Sequence, residues 1–213
     1  MNVIPRIPER YRRRAAKLSV EERRAQLLAC AIRVFSRKGI ASANHSDLAT
    51  EANVSVPTVF SYFPTRVALV EAVIDEVERF FLDRMPEVVA AHQTVPEQLT
   101  AVLRVFADSL DTNPDYPKIW VNWSTSFYEK TWPLYQRSID RMIRFHREII
   151  DAGAKRGEAV QNMDPQMSTH VFVGAATVMV LMKMQGQSSA NIVRYMETTM
   201  RGAMAQLLTP PAL

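Results

Sequence analysis

Apolar residues recur at intervals of three and four along most of the chain, and no long stretch alternates with period two. Ala25, Leu28, Ala29, Ile32 and Phe35 form the first such face. Ser19 stands before it as an N-cap with Glu21 and Glu22 in the first turn, and Arg37-Lys38-Gly39 ends it. Asn44, with Asp47 three positions on, starts a short second helix whose Leu48, Ala49 and Ala52 point inward and which Asn53 ends. A third begins near Val56. Pro57 occupies its first turn, where no N–H is needed, Val59 and Phe63 share a face that can pack on Phe35 and Leu48, and Pro64 stops it. Thr65 then caps a long helix with Leu69, Val73, Val77 and Phe80 on one stripe and Val70, Ile74 and Phe81 beside it.

Pro86, Pro96, Pro114 and Pro117 punctuate the chain beyond that helix. The pattern predicts helices over 97–110, 116–127, about 129–156, from Asp164 to about Gln185, and from Ser188 or Ser189 to about Leu208. The expected fold is all-α, with about nine helices. Two short helices joined by a tight turn after a longer supporting helix make the helix-turn-helix arrangement, whose second helix enters the DNA major groove. The chain divides into a basic arm (1–18), a helix-turn-helix DNA-binding domain (19–66), a helical regulatory, ligand-binding and dimerisation domain (67–208) and a tail (209–213). The longest apolar run, Val171 to Met182, is too short to cross a bilayer and predicts a buried helix, so no membrane partner is expected.

Charge sharpens this division. Residues 1–66 hold twelve Lys/Arg against five Asp/Glu, a net +7, while the remainder carries a net −3. A basic end on a mildly acidic body fits a polyanionic partner at that end, or else a solvated basic tail. The single cysteine, Cys30, excludes an internal disulfide framework, and the N-terminus carries arginines rather than a signal peptide's apolar stretch, so a cytoplasmic location is expected. His45, His92, His146 and His170 lack metal-ligand spacing, and no phosphate-cradling glycine loop occurs. No metal, cofactor or enzymatic activity is expected.

The stretch "GIASANHSDLATEANVSVPTVFSYFPTRVALVEAV" resembles the DNA-binding domain of TetR-type transcriptional regulators. Gly39, Asp47-Leu48-Ala49, Val54-Ser55, Thr58-Val59-Phe60, Tyr62-Phe63 and Arg66 fill the places of that family's pattern over about fifty residues. "NHSDLA", "VSVPTVFSYFPTR", "WVNWSTS", "TWPLY" and "RGEA" further resemble its quorum-sensing master-regulator branch, the LuxR/HapR/SmcR type of marine vibrios, which includes activators and repressors. The chain departs from that branch at Ser61, usually Asn, and at Pro57, usually Ala. A hydroxyl cannot make an amide's bidentate contact to adenine, so operator preference is expected to differ.

The resemblance implies a homodimer on double-stranded DNA, reading a near-palindromic operator. Pro57, Thr58, Ser61 and Tyr62 would enter the groove, and Ser55, which caps that helix, and Thr65, which caps the next so that its N-terminus can hold a phosphate, would bind DNA with them. Asn44, His45 and Ser46 would lie near the DNA backbone, Arg66 would neutralise a phosphate, and Arg10, Arg12, Arg13 and Arg14 would add phosphate or minor-groove contacts. For His45 a capping or packing role is the other reading. Dimerisation is expected through Phe172, Ala175, Ala176 and Met179 on one helix and Ile192, Met196, Met200, Ala203 and Leu207 on the last; ordinary intrachain core is the alternative. Trp120, Trp123 and Phe127 share a predicted face. With Phe80, Phe106, Trp132, Met142 and Met179 they line either a pocket for a small apolar effector or plain core, with Gln136 and Asn122 as candidate polar groups. The function expected is a quorum-sensing-type regulator. The alternative is a small-molecule-responsive repressor of efflux or metabolic genes.

Overall fold

The computed structural model describes residues 18–127, 130–158, 160 and 162–208. Among them lie ten α-helices and no strand: α1 (Val20–Lys38), α2 (His45–Ala52), α3 (Val56–Tyr62), α4 (Arg66–Leu82), α5 (Met85–Ala90), α6 (Val95–Thr112), α7 (Asp115–Ser124), α8 (Trp132–Lys155), α9 (Pro165–Met184) and α10 (Ser189–Leu208). The helix beyond the expected nine is α5. Pro86 stands in its first turn and starts a helix rather than merely ending one.

The first three helices are fixed by their ends. Ser19 Oγ accepts the Glu22 N–H while the Glu22 carboxylate accepts the Ser19 N–H, and Gly39, at φ +80°, lets the chain leave α1. Asn44 Oδ1 accepts the N–H groups of Ser46 and Asp47, Asp47 returns a bond to the Asn44 N–H, and left-handed Asn53 closes α2. Val59 and Phe63 are buried with Phe35, Leu48 and Leu69. On α1, Ala25 and Ala29 are exposed and Leu27, Ala31 and Val34 are buried beside Leu28, Ile32 and Phe35. The buried face is rotated because α1 packs on α2, α4 and α7 together.

Among the described residues no flexible linker separates this head from the body. One continuous cluster of buried residues runs from α1 through α4 into α6–α10. Ile40, just after α1, is held from the body: its N–H donates to Asn122 Oδ1 on α7 over 2.8 Å. A Cβ on the neighbouring Gly39 would meet that Asn122 side chain at 3.1 Å. The apolar run at 171–182 lies within the twenty-residue α9, which is long and apolar enough to cross a membrane by length and composition. The run alone understated the helix, because flanking Ser, Thr and His residues continue it. In the fold α9 packs against α6, α7, α8 and α10.

Candidate nucleic-acid interface and body cavity

α3 is held by one side. Val59 is fully buried and Phe63 nearly so, while Pro57, Phe60 and Ser61 are exposed. Ser55 caps the helix by accepting the Thr58 N–H, and its hydroxyl shares a hydrogen bond with that of Thr58 at 2.8 Å. Ser61 Oγ donates to the Thr58 carbonyl at 2.7 Å. Tyr62 is half-buried against the core rather than fully outward. Thr65 Oγ1 accepts the Ala68 N–H and starts α4, and Asn44 and Ser46 sit exposed at the start of α2.

Two predicted backbone-contacting residues have other work. His45 is buried, with Nε2 2.7 Å from the Phe63 carbonyl oxygen and its ring stacked on Phe60, so it packs the head together instead of facing a phosphate. The Arg66 guanidinium donates to the carbonyls of Ile40 and Ala41, at 2.7 Å for the latter, and clamps the α1–α2 loop onto α4. Arg33 and Arg37 of α1 both bind Glu51 of α2, and Lys38 binds Asp47, so these three cations are paired inside the head. Arg10, Arg12, Arg13 and Arg14 lie outside the described residues.

The predicted dimerisation stripes turn inward. Phe172, Ala175, Ala176, Met179, Ile192, Met196 and Met200 are all buried within the chain, and Ala203 is half-buried; the Leu207 side chain lies outside the described residues. Helix α9 is apolar on both sides, so periodicity identified a stripe without saying which side met the rest of the chain. Its opposite side leaves Met167, Val178 and Leu181 exposed, in line with half-buried Val171 and with Gly174, where an added Cβ would meet nothing within 4 Å.

A cavity of about 50 Å³ lies where α4 meets α6–α9. Phe106, Trp120 and Met142 line it, together with Phe81, Phe145, Phe172 and the polar Glu78 and Ser138. The other candidates are elsewhere. Phe80 stacks on Tyr116, with Arg84 over its ring. Trp123 is fully buried and donates its indole N–H to the Thr131 carbonyl, and Trp132 stacks on Tyr135. Met179 is fully buried core, Gln136 is exposed and Asn122 serves Ile40. Phe127 is past the end of α7, mostly exposed and edge-on to Trp132, because the helix stops at Ser124 and breaks the expected face.

Glu78 is the polar residue that sequence reasoning missed. It sits in the middle of the apolar α4, 94% buried (6% exposed), with Oε2 bound to the Arg141 guanidinium and Oε1 without a partner. The signal was there as an acid between Val77 and Phe81, but an amphipathic pattern assigns such a residue to the wet side.

Residues 27–73 match the model of bacterial regulatory proteins of the tetR family. The chain is 28% identical to the HTH-type transcriptional regulator LuxR of Vibrio harveyi over 181 residues, covering 85% of this chain and 88% of that one. It is 30% identical to the HTH-type transcriptional regulator BetI of Burkholderia mallei over 142 residues, covering 65% and 72%. The transcriptional regulator FadR of Bacillus subtilis, solved with stearoyl-CoA, shares the fold with a TM-score of 0.71 at 17% identity over 89% of this chain and 99% of that one. With the helix-turn-helix head and the helical body in the same order, this chain belongs to the TetR family of transcriptional regulators.

Proposed function

We propose that this protein is a homodimeric regulator that binds a near-palindromic operator, with 19–66 as the reading head and 67–208 as the effector-binding and dimerisation body. The carrying observation is α3 itself: one side is locked into the core by Val59 and Phe63, and the other presents Pro57, Thr58 and Ser61 at the surface of the head. Asn44, Ser46 and Thr65 border that face, and the arm arginines would supply phosphate contacts and hence affinity. The exposed Met167–Leu181 stripe of α9 is the dimer surface in this reading, with Gly174 permitting close approach. Two-fold pairing would set the heads one DNA turn apart or a multiple of it, roughly 34–36 Å per turn.

The quorum-sensing assignment rests on the likeness to LuxR, which extends over most of both chains. A second reading, a small-molecule-responsive repressor of metabolic or efflux genes, is favoured by Glu78. The unpartnered buried oxygen of Glu78 among aromatic rings would be relieved by a hydrogen-bond donor, either a water, which a cavity of about 50 Å³ holds, or the polar end of an apolar ligand around which the cavity widens.

Selection of duplexes from a random pool at stated salt should return two half-sites related by a dyad. The double variant Val178→Glu, Leu181→Glu should sediment as a monomer and bind the selected site about a hundredfold more weakly. A monomeric wild-type protein, or a selected site without symmetry, rejects the dimeric operator reading.

A further inference from the structure

Phe60 is a large apolar side chain, 45% exposed, on the helix proposed to enter the groove. It is not loose. Its ring lies on the imidazole of His45 with centroids 4.0 Å apart and planes 6° from parallel. His45 is itself fixed: a carbonyl oxygen only accepts, so Nε2 carries the proton and donates to Phe63 at 2.7 Å. The head therefore holds an exposed phenyl ring on a buried platform, and burial of Phe60 cannot account for it.

The polar groups around that ring narrow what it can recognise. Residues 55–63 contain no Lys, Arg, Asn or Gln, so α3 has neither the guanidinium fork that reads guanine O6 and N7 nor the amide that reads adenine. The Ser61 proton is used on the Thr58 carbonyl, and the Ser55 and Thr58 hydroxyls are bonded to each other. What faces outward is mainly the Pro57 ring, the Phe60 ring and single hydroxyls. The one apolar group among base edges in the major groove is the thymine 5-methyl.

We infer that Phe60, seated on His45 and facing outward beside Pro57, reads a thymine 5-methyl group in each half-site, with His45 as its positioning residue. This rests on the proposed operator reading. The chemistry sought is a methylated pyrimidine at a fixed place in the half-site, not a guanine.

The test uses the full-length protein and the duplex it selects. Each thymine of the half-sites is replaced in turn by uracil, which removes only the methyl group. At one position per half-site the wild-type protein should lose about fourfold in affinity, the worth of one buried methyl-sized group. A 5-methylcytosine placed there should bind better than cytosine. Phe60→Ala should bind thymine and uracil duplexes equally at that position. Phe60→Leu, which keeps an apolar side chain in case the alanine variant misfolds, should retain part of the preference. His45→Gln, which keeps a donor for Phe63 but removes the flat ring, should lower the thymine-to-uracil ratio without changing the salt slope. A selected site whose thymines all tolerate uracil overturns this inference alone, as does a Phe60→Ala variant that keeps the wild-type ratio. A pool that yields no preferred site overturns the operator reading and this inference with it.

Discussion

In the head, Ser19, Asn44, Ser55 and Thr65 each close a helix start with their own side-chain oxygen, and Glu51 and Asp47 gather three cations of α1 onto α2. In the body, four buried side-chain atoms among the described residues have no partner: Glu78 Oε1, Gln98 Oε1, Thr131 Oγ1 and His146 Nε2. All four lie beyond residue 77, and none of the described head residues contributes one. Buried polar groups are normally satisfied, because each orphan costs about 1–3 kcal/mol. The head is thus built as a fixed shape, and the body keeps groups whose energy a ligand, a proton or a change of packing can alter. Head and body are joined through α4 and α7, which both pack on α1.

The contrast is broken most strongly by removing what fixes the head. Phe63 is nearly fully buried, packs beneath α3, and supplies the carbonyl that holds His45. Phe63→Ala should destabilise the protein by about 3–5 kcal/mol. The melting temperature should fall on the order of 10 °C in a calorimetric scan. A shift of only a degree or two would mean that the head relaxes around the gap and is not the fixed shape described.

Acid should separate the two regions with a smaller effect. His146 is almost fully buried, and burial lowers its pKa from the usual 6.5 to about 4. The Thr169 hydroxyl donates to the Pro165 carbonyl, so its oxygen accepts from His146 Nδ1–H, and Nε2 is left as a bare acceptor. Between pH 6.5 and 4 the unfolded chain binds a proton that the folded one refuses, so stability falls as pH falls through that window. From pH 7.5 to 5 the wild type should lose about 2 kcal/mol more than His146→Leu in urea titrations. Hydrogen bonds from Arg33 first and Arg37 second hold the Glu51 carboxyl below its ordinary value, and that support fades only when the pH falls below the usual carboxylate range. Identical pH profiles for wild type and His146→Leu would remove the asymmetry.

The same contrast governs what the sequence made legible. Caps, prolines and a glycine at a positive φ act within four residues of where they stand, so the ends of α1–α3 and the start of α4 follow from local chemistry. The His45–Phe60 stack joins positions fifteen residues apart and has no periodic signal. In α9 apolar residues cover both sides, and only contact with α6, α7, α8 and α10 decides which side is core. The aromatic face drawn through Trp120, Trp123 and Phe127 assumed a helix running three residues past the observed end at Ser124, and the cavity is lined by Trp120 with Glu78 instead. Legibility was high where a side chain bonds its own backbone neighbourhood and low where a helix chooses among partners.

Where head and body meet, the smallest effect is also the most discriminating. Ile40 is held on both sides, its N–H by Asn122 of α7 and its carbonyl by Arg66 of α4. If Arg66 worked as a phosphate ligand, Arg66→Ala would reduce the salt slope of DNA binding by about one unit. The guanidinium instead bridges two carbonyls of the α1–α2 loop. Arg66→Ala should therefore weaken operator binding while leaving the slope unchanged, and amide exchange at Ile40 should quicken as its loop loosens. Asn122→Ala should quicken the same amide with no change in slope, since it touches the loop from the body and lies on no proposed DNA face. A one-unit fall in slope for Arg66→Ala alone would return that arginine to the DNA backbone.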